Sequence, residues 1–96
     1  MSQWKVQLTK VALDCLADIR DGNSTAFSRI KKAIDRLQEN PEAVGKRLTD
    51  PLSRFWRARV GEYRIIYKIE NQIITVTIIY VGHRREVYTK IKRMLG

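Results

Sequence analysis

Residues 54–88 read RFWRARVGEYRIIYKIENQIITVTIIYVGHRREVY, and the alternation in this stretch decides the fold. Phe55, Arg57 and Arg59 fall on one side of an extended chain, and Trp56, Ala58 and Val60 on the other, so residues 55–60 are expected to form a strand. Gly61-Glu62 suits a tight hairpin turn, which returns the chain as a second strand over 63–69. Glu70-Asn71-Gln72 turns it again. The β-branched run over 73–81 then suits a central, well-buried strand. Gly82 is expected to end that strand, with 83–86 a polar segment and 87–95 a last short helix carrying Tyr88 and Ile91 on one side. Trp56, Tyr67 and Tyr80 read as core.

Upstream, residues 4–8 alternate apolar and polar and fit a short half-buried strand. Thr9 can cap a helix that begins at Lys10. Val11, Ala12, Cys15, Leu16 and Ile19 recur at helical spacing until Asp21-Gly22-Asn23 breaks the pattern. Asn23 or Ser24 opens a second helix whose apolar face is Ala26, Phe27, Ile30, Ala33, Ile34 and Leu37. Asn40-Pro41 is expected to end it, and 41–53 to cross over as a loop. The order is β-α-α-β-β-β-(α). This gives a single α+β domain over residues 1–96, an N-terminal helical hairpin packed on a mostly antiparallel four-stranded sheet.

The chain has 96 residues, a net charge of +9 and an isoelectric point near 10.1. Residues 1–45 hold seven Lys/Arg against six Asp/Glu, whereas residues 46–96 hold twelve against four. Such asymmetry points to a polyanionic partner, nucleic acid first and an anionic membrane surface second. Cys15 is alone, so neither an internal disulfide nor a cysteine-rich zinc site is expected. No apolar run approaches the roughly 18 residues of a membrane span. The amino-terminal segment lacks the apolar stretch of a secretory signal. A cytoplasmic protein with no membrane partner is expected.

The usual catalytic arrangements are missing. There is no phosphate-binding G-x-x-x-x-G-K-[ST] or G-x-G-x-x-G loop. Acidic residues in the ribbon, Glu62, Glu70 and Glu86, are too sparse for a two-metal nuclease. No metal or cofactor is expected. What remains is arginine and tyrosine. Arg57 and Arg59 point the same way, Arg64 follows the hairpin turn, and Arg84 and Arg85 follow the last strand. Guanidinium groups fork onto phosphate oxygens and stay charged. They can therefore hold an RNA backbone and stabilise the added charge of a pentacoordinate phosphate. RNA carries its own nucleophile in the 2′-hydroxyl, and Tyr88 and His83 are the local groups suited to moving protons. Lys46, Arg47 and Arg54 add cations from the crossing segment.

WRARVGEYRIIY (residues 56–67) followed by VGHRREVY (residues 81–88) resembles the RelE/ParE toxin superfamily of bacterial toxin–antitoxin modules. The helical hairpin and the GKRL segment (residues 45–48) fit that resemblance, which covers essentially the whole chain. The RelE-like branch implies a ribosome-dependent endoribonuclease that cleaves mRNA in the A site without metal. By position it implies Arg64, Arg84 and Tyr88 as catalytic residues, with His83 a further candidate. Arg57 and Arg59 stand where RelE-like members carry strand lysines; arginine cannot serve as a base as lysine can. With Lys46, Arg47, Arg54 and Arg85 they are the expected contacts to the ribosome and its 16S rRNA. The superfamily also implies a RelB-like antitoxin that wraps the basic face and sets the oligomeric state. The alternative within the same fold is a ParE-like inhibitor of DNA gyrase with no RNA cleavage.

Overall fold

A computed structural model of the chain describes residues 3–95, for Leu95 the backbone alone. Strand β1 (Lys5–Leu8) ends at Thr9, whose hydroxyl oxygen accepts a hydrogen bond from the Ala12 amide at 3.1 Å. That cap satisfies an amide left unpaired at a helix start, and α1 runs Lys10–Gly22. The same hydroxyl donates to the Ile79 carbonyl at 3.0 Å, tying the cap to the sheet. Asn23 alone forms the turn between the helices. Its amide donates to the Ile19 carbonyl at 2.7 Å and its side chain accepts from the Ala26 amide at 3.1 Å. It closes α1 and opens α2 (Ser24–Leu37), which buries Ile30, Ala33 and Leu37.

The expected loop over 41–53 contains two further elements. α2 stops at Leu37, before Asn40-Pro41, and Pro41 opens a short helix, α3 (Pro41–Val44), capped by Asn40. Proline suits that first position because its missing N–H would have no partner there. Lys46–Arg47 then forms a two-residue strand, β2, so the sheet has five strands rather than the four expected. Tyr67 locks this segment down by donating to the Pro41 carbonyl at 2.7 Å. Gly45 permits the approach, since a Cβ there would collide with the Tyr67 oxygen and the Arg57 carbonyl.

β3 (Trp56–Val60), β4 (Tyr63–Glu70) and β5 (Thr75–His83) are consecutive antiparallel partners. The order is β1-β5-β4-β3-β2, with β1 parallel to β5. Gly61 takes φ 58° in the β3–β4 turn, a conformation glycine adopts freely. The third ribbon strand begins later than expected, because Asn71–Ile73 coils into a 3₁₀ turn. It also runs through Gly82, which pairs with Arg64 rather than ending the strand.

One irregularity governs the site. Tyr67 pairs with Ile78 but Ile66 pairs with Tyr80, so Ile79 is an extra residue in β5. Such a bulge reverses which face the following side chains take. On one face, α1 and α2 cover Ala58, Val60, Ile65, Tyr67, Val76, Ile78 and Val81. On the other, Ile66 and Tyr80 pack with Leu52, Phe55 and the buried Val87 and Ile91 of α4 (Val87–Leu95). The face away from the helical hairpin is thus covered in part, and its basic end is left open.

Candidate nucleic-acid interface

The two-residue Gly61-Glu62 turn fixes the ladder so that Arg59 stands directly opposite Arg64, and Arg64 opposite Gly82. One step along, Lys46 pairs with Arg57 and Arg57 with Ile66. These residues share the face away from the helical hairpin, because Ala58, Val60 and Ile65 between them are buried under α1 and α2. Arg59 and Lys46 are exposed, and Arg57 and Arg64 half-buried. Like charges directly across a ladder repel. Arg64 is partly relieved, since one guanidinium nitrogen donates to the Gly61 carbonyl at 2.9 Å and the Tyr63 carbonyl at 2.8 Å. Lys46, Arg57 and Arg59 also line a hollow of about 270 Å³ with Ala43, Val44 and Gly45.

Arg84 arrives at the same turn from the end of β5. Its amide donates to the Glu62 carbonyl at 2.7 Å and its Nε pairs with the Glu62 carboxylate at 2.6 Å. Both side chains are about half exposed, so the pair fixes position more than it stabilises. It holds Arg84 at the turn that joins the strand of Arg59 to that of Arg64. Glu62, read from sequence only as a turn residue, is therefore the group that holds Arg84.

The remaining candidates divide by position. The bulge places His83 opposite Tyr63, on the side of the helical hairpin, where the two rings meet edge to face at 5.9 Å. Its Nδ1 accepts the Arg85 amide at 3.2 Å. His83 lines a hollow of about 440 Å³ with Asp18, Tyr63 and Glu86, so the structure does not bring it together with the arginine row. Tyr88 is half-buried against the cluster of Phe55, Ile66 and Tyr80, on the arginine side of the sheet, and lines a hollow with Leu48, Leu52 and Lys92. Arg85 is exposed beyond the strand end. Arg47 donates to the Ser53 carbonyl at 2.5 Å, and Arg54 lies over the Phe55 ring at 5.2 Å; both brace the segment between β2 and β3.

Two other tyrosines are withdrawn from acid–base work by burial, which pushes the phenols of Tyr67 and Tyr80 above the ordinary value of 10. Desolvation likewise raises the Cys15 thiol. Among the described residues no group of three or more His, Cys, Asp or Glu could hold a metal ion, and no helix is long and apolar enough to cross a membrane. The outer cations of α2 read from sequence only as its solvent side, yet Arg29, Lys32 and Arg36, spaced i, i+3, i+7, form a basic cluster that meets Arg59 at the sheet edge. Counting charge by halves hid it, because acids elsewhere in the first half cancel it.

A helical hairpin on a small mixed sheet is an arrangement shared with solved bacterial toxins. The structure is similar to the toxin–antitoxin complex RelBE2 from Mycobacterium tuberculosis, at 28% identity over 86% of this chain and 93% of that chain, TM-score 0.77. It is also similar in fold to the YoeB/ParE toxin from Agrobacterium tumefaciens, at 17% identity over 82% and 96% of the two chains, TM-score 0.74. In sequence, Toxin RelG of Mycobacterium tuberculosis is 36% identical over 61 residues, 64% of this chain and 70% of that protein. The family described as the ParE toxin of type II toxin-antitoxin system, parDE, matches residues 6–88. The chain belongs to this family, within the RelE/ParE superfamily of type II toxins.

Proposed function

We propose that the protein is an endoribonuclease toxin that cleaves mRNA in the ribosomal A site and so stops translation. The observation that carries this reading is Arg59 directly across from Arg64, with Arg84 held at the adjoining turn. Opposing two like charges across a ladder costs stability, whereas a phosphate between them gains charge-assisted hydrogen bonds from both.

In this reaction the 2′-oxygen attacks the adjacent phosphorus as its proton passes to a base. The bond from phosphorus to the 5′-oxygen then breaks, and the leaving oxygen takes up a proton. No metal or cofactor enters any step. Arg64 and Arg84 stabilise the charge that develops on the pentacoordinate phosphate. Arginine stays protonated and cannot be the base. Tyr88, on the arginine side of the sheet, is assigned proton transfer, and His83, on the opposite face, is not. Lys46, Arg57 and Arg59 hold the backbone, with Arg47, Arg54 and Arg85 at the margins. The partners are mRNA, the ribosome with its 16S rRNA, and a RelB-like antitoxin that covers the basic face, all in the cytoplasm. The toxin–antitoxin complex of the similar RelBE2 structure supports the last of these.

Primer extension on translated mRNA tests the reading. Expression should produce new 5′ ends inside codons. Arg64→Ala or Arg84→Ala should lower cleavage by about 100-fold or more, the usual loss when one preorganised donor is removed; Tyr88→Phe should do the same. The family match to ParE toxins favours a second reading, inhibition of DNA gyrase. Intact mRNA together with lost supercoiling activity would establish it and remove the first.

A further inference from the structure

The α2 cluster carries a role of its own. Arg29, Lys32 and Arg36 are exposed along one outer face of α2 and line a hollow of about 310 Å³ with Arg59, Val60 and Gly61. The glycine turn makes room for it, since a Cβ on Gly61 would lie 3.2 Å from the Arg29 guanidinium. No acidic side chain lines the hollow. Among the described residues, none of these four cations is in an ion pair. Arg59 belongs to this hollow and to the one lined by Lys46 and Arg57, so the two basic surfaces meet at one residue.

We propose that the α2 stripe is a second polyanion site that grips the sugar–phosphate backbone of double-helical RNA, away from the scissile phosphate. Three features favour that occupant. Arg29 and Arg36 are about 10 Å apart along the axis at 1.5 Å per residue, so the row of cations spans several phosphates of a preformed backbone. Single strands are held where aromatic rings offer stacking surfaces, and no aromatic residue lines this hollow. A protein partner anchors through aromatic or apolar pockets, yet the only apolar side chain here, Val60, is buried beneath the sheet edge. Phosphate contacts alone fix register on a duplex, and duplex RNA is read largely by shape. The choice of RNA as the polyanion rests on the proposed nuclease reading.

The test is filter binding of the full chain to two probes, an unstructured oligouridylate and a blunt RNA duplex of about 20 base pairs, longer than the roughly 16 that a duplex-binding module spans. The variant is Arg29→Gln/Lys32→Gln/Arg36→Gln, which keeps good helix formers on an exposed face. It should bind the duplex at least tenfold more weakly. Its log–log salt slope should shrink by roughly 2.7, about 0.9 per lost phosphate contact. Oligouridylate affinity and melting temperature should stay at wild-type values. Arg64→Gln should give the converse pattern, weaker oligouridylate binding with the duplex retained. Wild-type duplex affinity in the triple variant overturns the proposal, as does an equal loss for both probes, which would mean one undivided basic field. Loss of polyglutamate binding with the duplex retained also overturns it, in favour of an acidic protein partner. Cleavage does not enter this readout. A chain that binds the duplex through α2 but cuts no translated mRNA upholds the stripe and removes the nuclease reading.

Discussion

Tyr67 shows how much one side chain can be asked to do. It is fully buried, packs near-parallel to Trp56 at 6.4 Å and holds the Pro41 carbonyl at 2.7 Å. Burial raises its phenol well above the unfolded value near 10. The stabilisation that follows is fully present below pH 10 and is lost as pH rises toward the folded value, because the unfolded chain then releases a proton that the folded chain keeps. Tyr67→Phe should cost about 1 kcal/mol near neutrality through the lost hydrogen bond. The gap between wild type and variant should stay constant up to about pH 9, shrink by about 0.4 kcal/mol at pH 10 and by about 1.4 kcal/mol in all at pH 11, where the variant becomes slightly the more stable of the two. Urea denaturation of both proteins from pH 8 to 11 measures this directly. A gap that does not close would mean that Tyr67 ionises as readily folded as unfolded. The core role of this residue was legible from its place in an apolar ribbon. Its hold on Pro41 was not, because nothing local signals a contact across 26 positions.

The β3–β4 hairpin shows what alternation can tell and where it stops. A two-residue turn fixes the register, so the facing of Arg59 and Arg64 follows from sequence once Gly61-Glu62 is accepted as the turn. The side of the sheet taken by His83 does not. Regular alternation from Thr77, which pairs with Lys68, would carry His83 to the arginine face. The extra residue at Ile79 turns it to the helical hairpin and puts Gly82 beside Arg64 instead. Bulges have no fixed composition, so that side chain's position could be learned only from the ladder itself. Caps were easier, since Thr9 and Asn23 each carry a side-chain oxygen at the right place for the next helix. β2 was missed because two residues show no period. The opposed arginines also carry a stability prediction. Arg59→Gln removes the repulsion and should stabilise the fold by about 0.2–1 kcal/mol, raising the melting temperature by a few degrees at roughly 4–8 °C per kcal/mol for a chain this size. On the proposed nuclease reading it should also weaken RNA binding, the exchange of stability for function common at built sites. Calorimetry decides it: an unchanged or lower melting temperature would mean that solvent already screens the pair.

Taken whole, the molecule has two cores on one sheet, and they do not bear equal weight. The core under α1 and α2 joins both helices to β3, β4 and β5, whereas α4 enters only the second cluster, chiefly through Val87 and Ile91. Removing a fully buried isoleucine side chain costs about 2–5 kcal/mol when the whole fold must absorb it. Ile30→Ala, in the first core, should lower global stability by that amount. Ile91→Ala sits on a terminal helix that can open alone, so its effect should stay local. Native-state hydrogen exchange should then show lost protection over residues 87–95 and in the segment around Leu52 and Phe55, while amides of α1, α2 and β5 keep theirs. On the proposed nuclease reading, in which Tyr88 of α4 moves the proton, cleavage should fall along with that local order, although Arg64 and Arg84 remain held at their turn. Equal loss of protection across all elements in Ile91→Ala would show that the two cores fold as one unit, and α4 could not then open without the sheet.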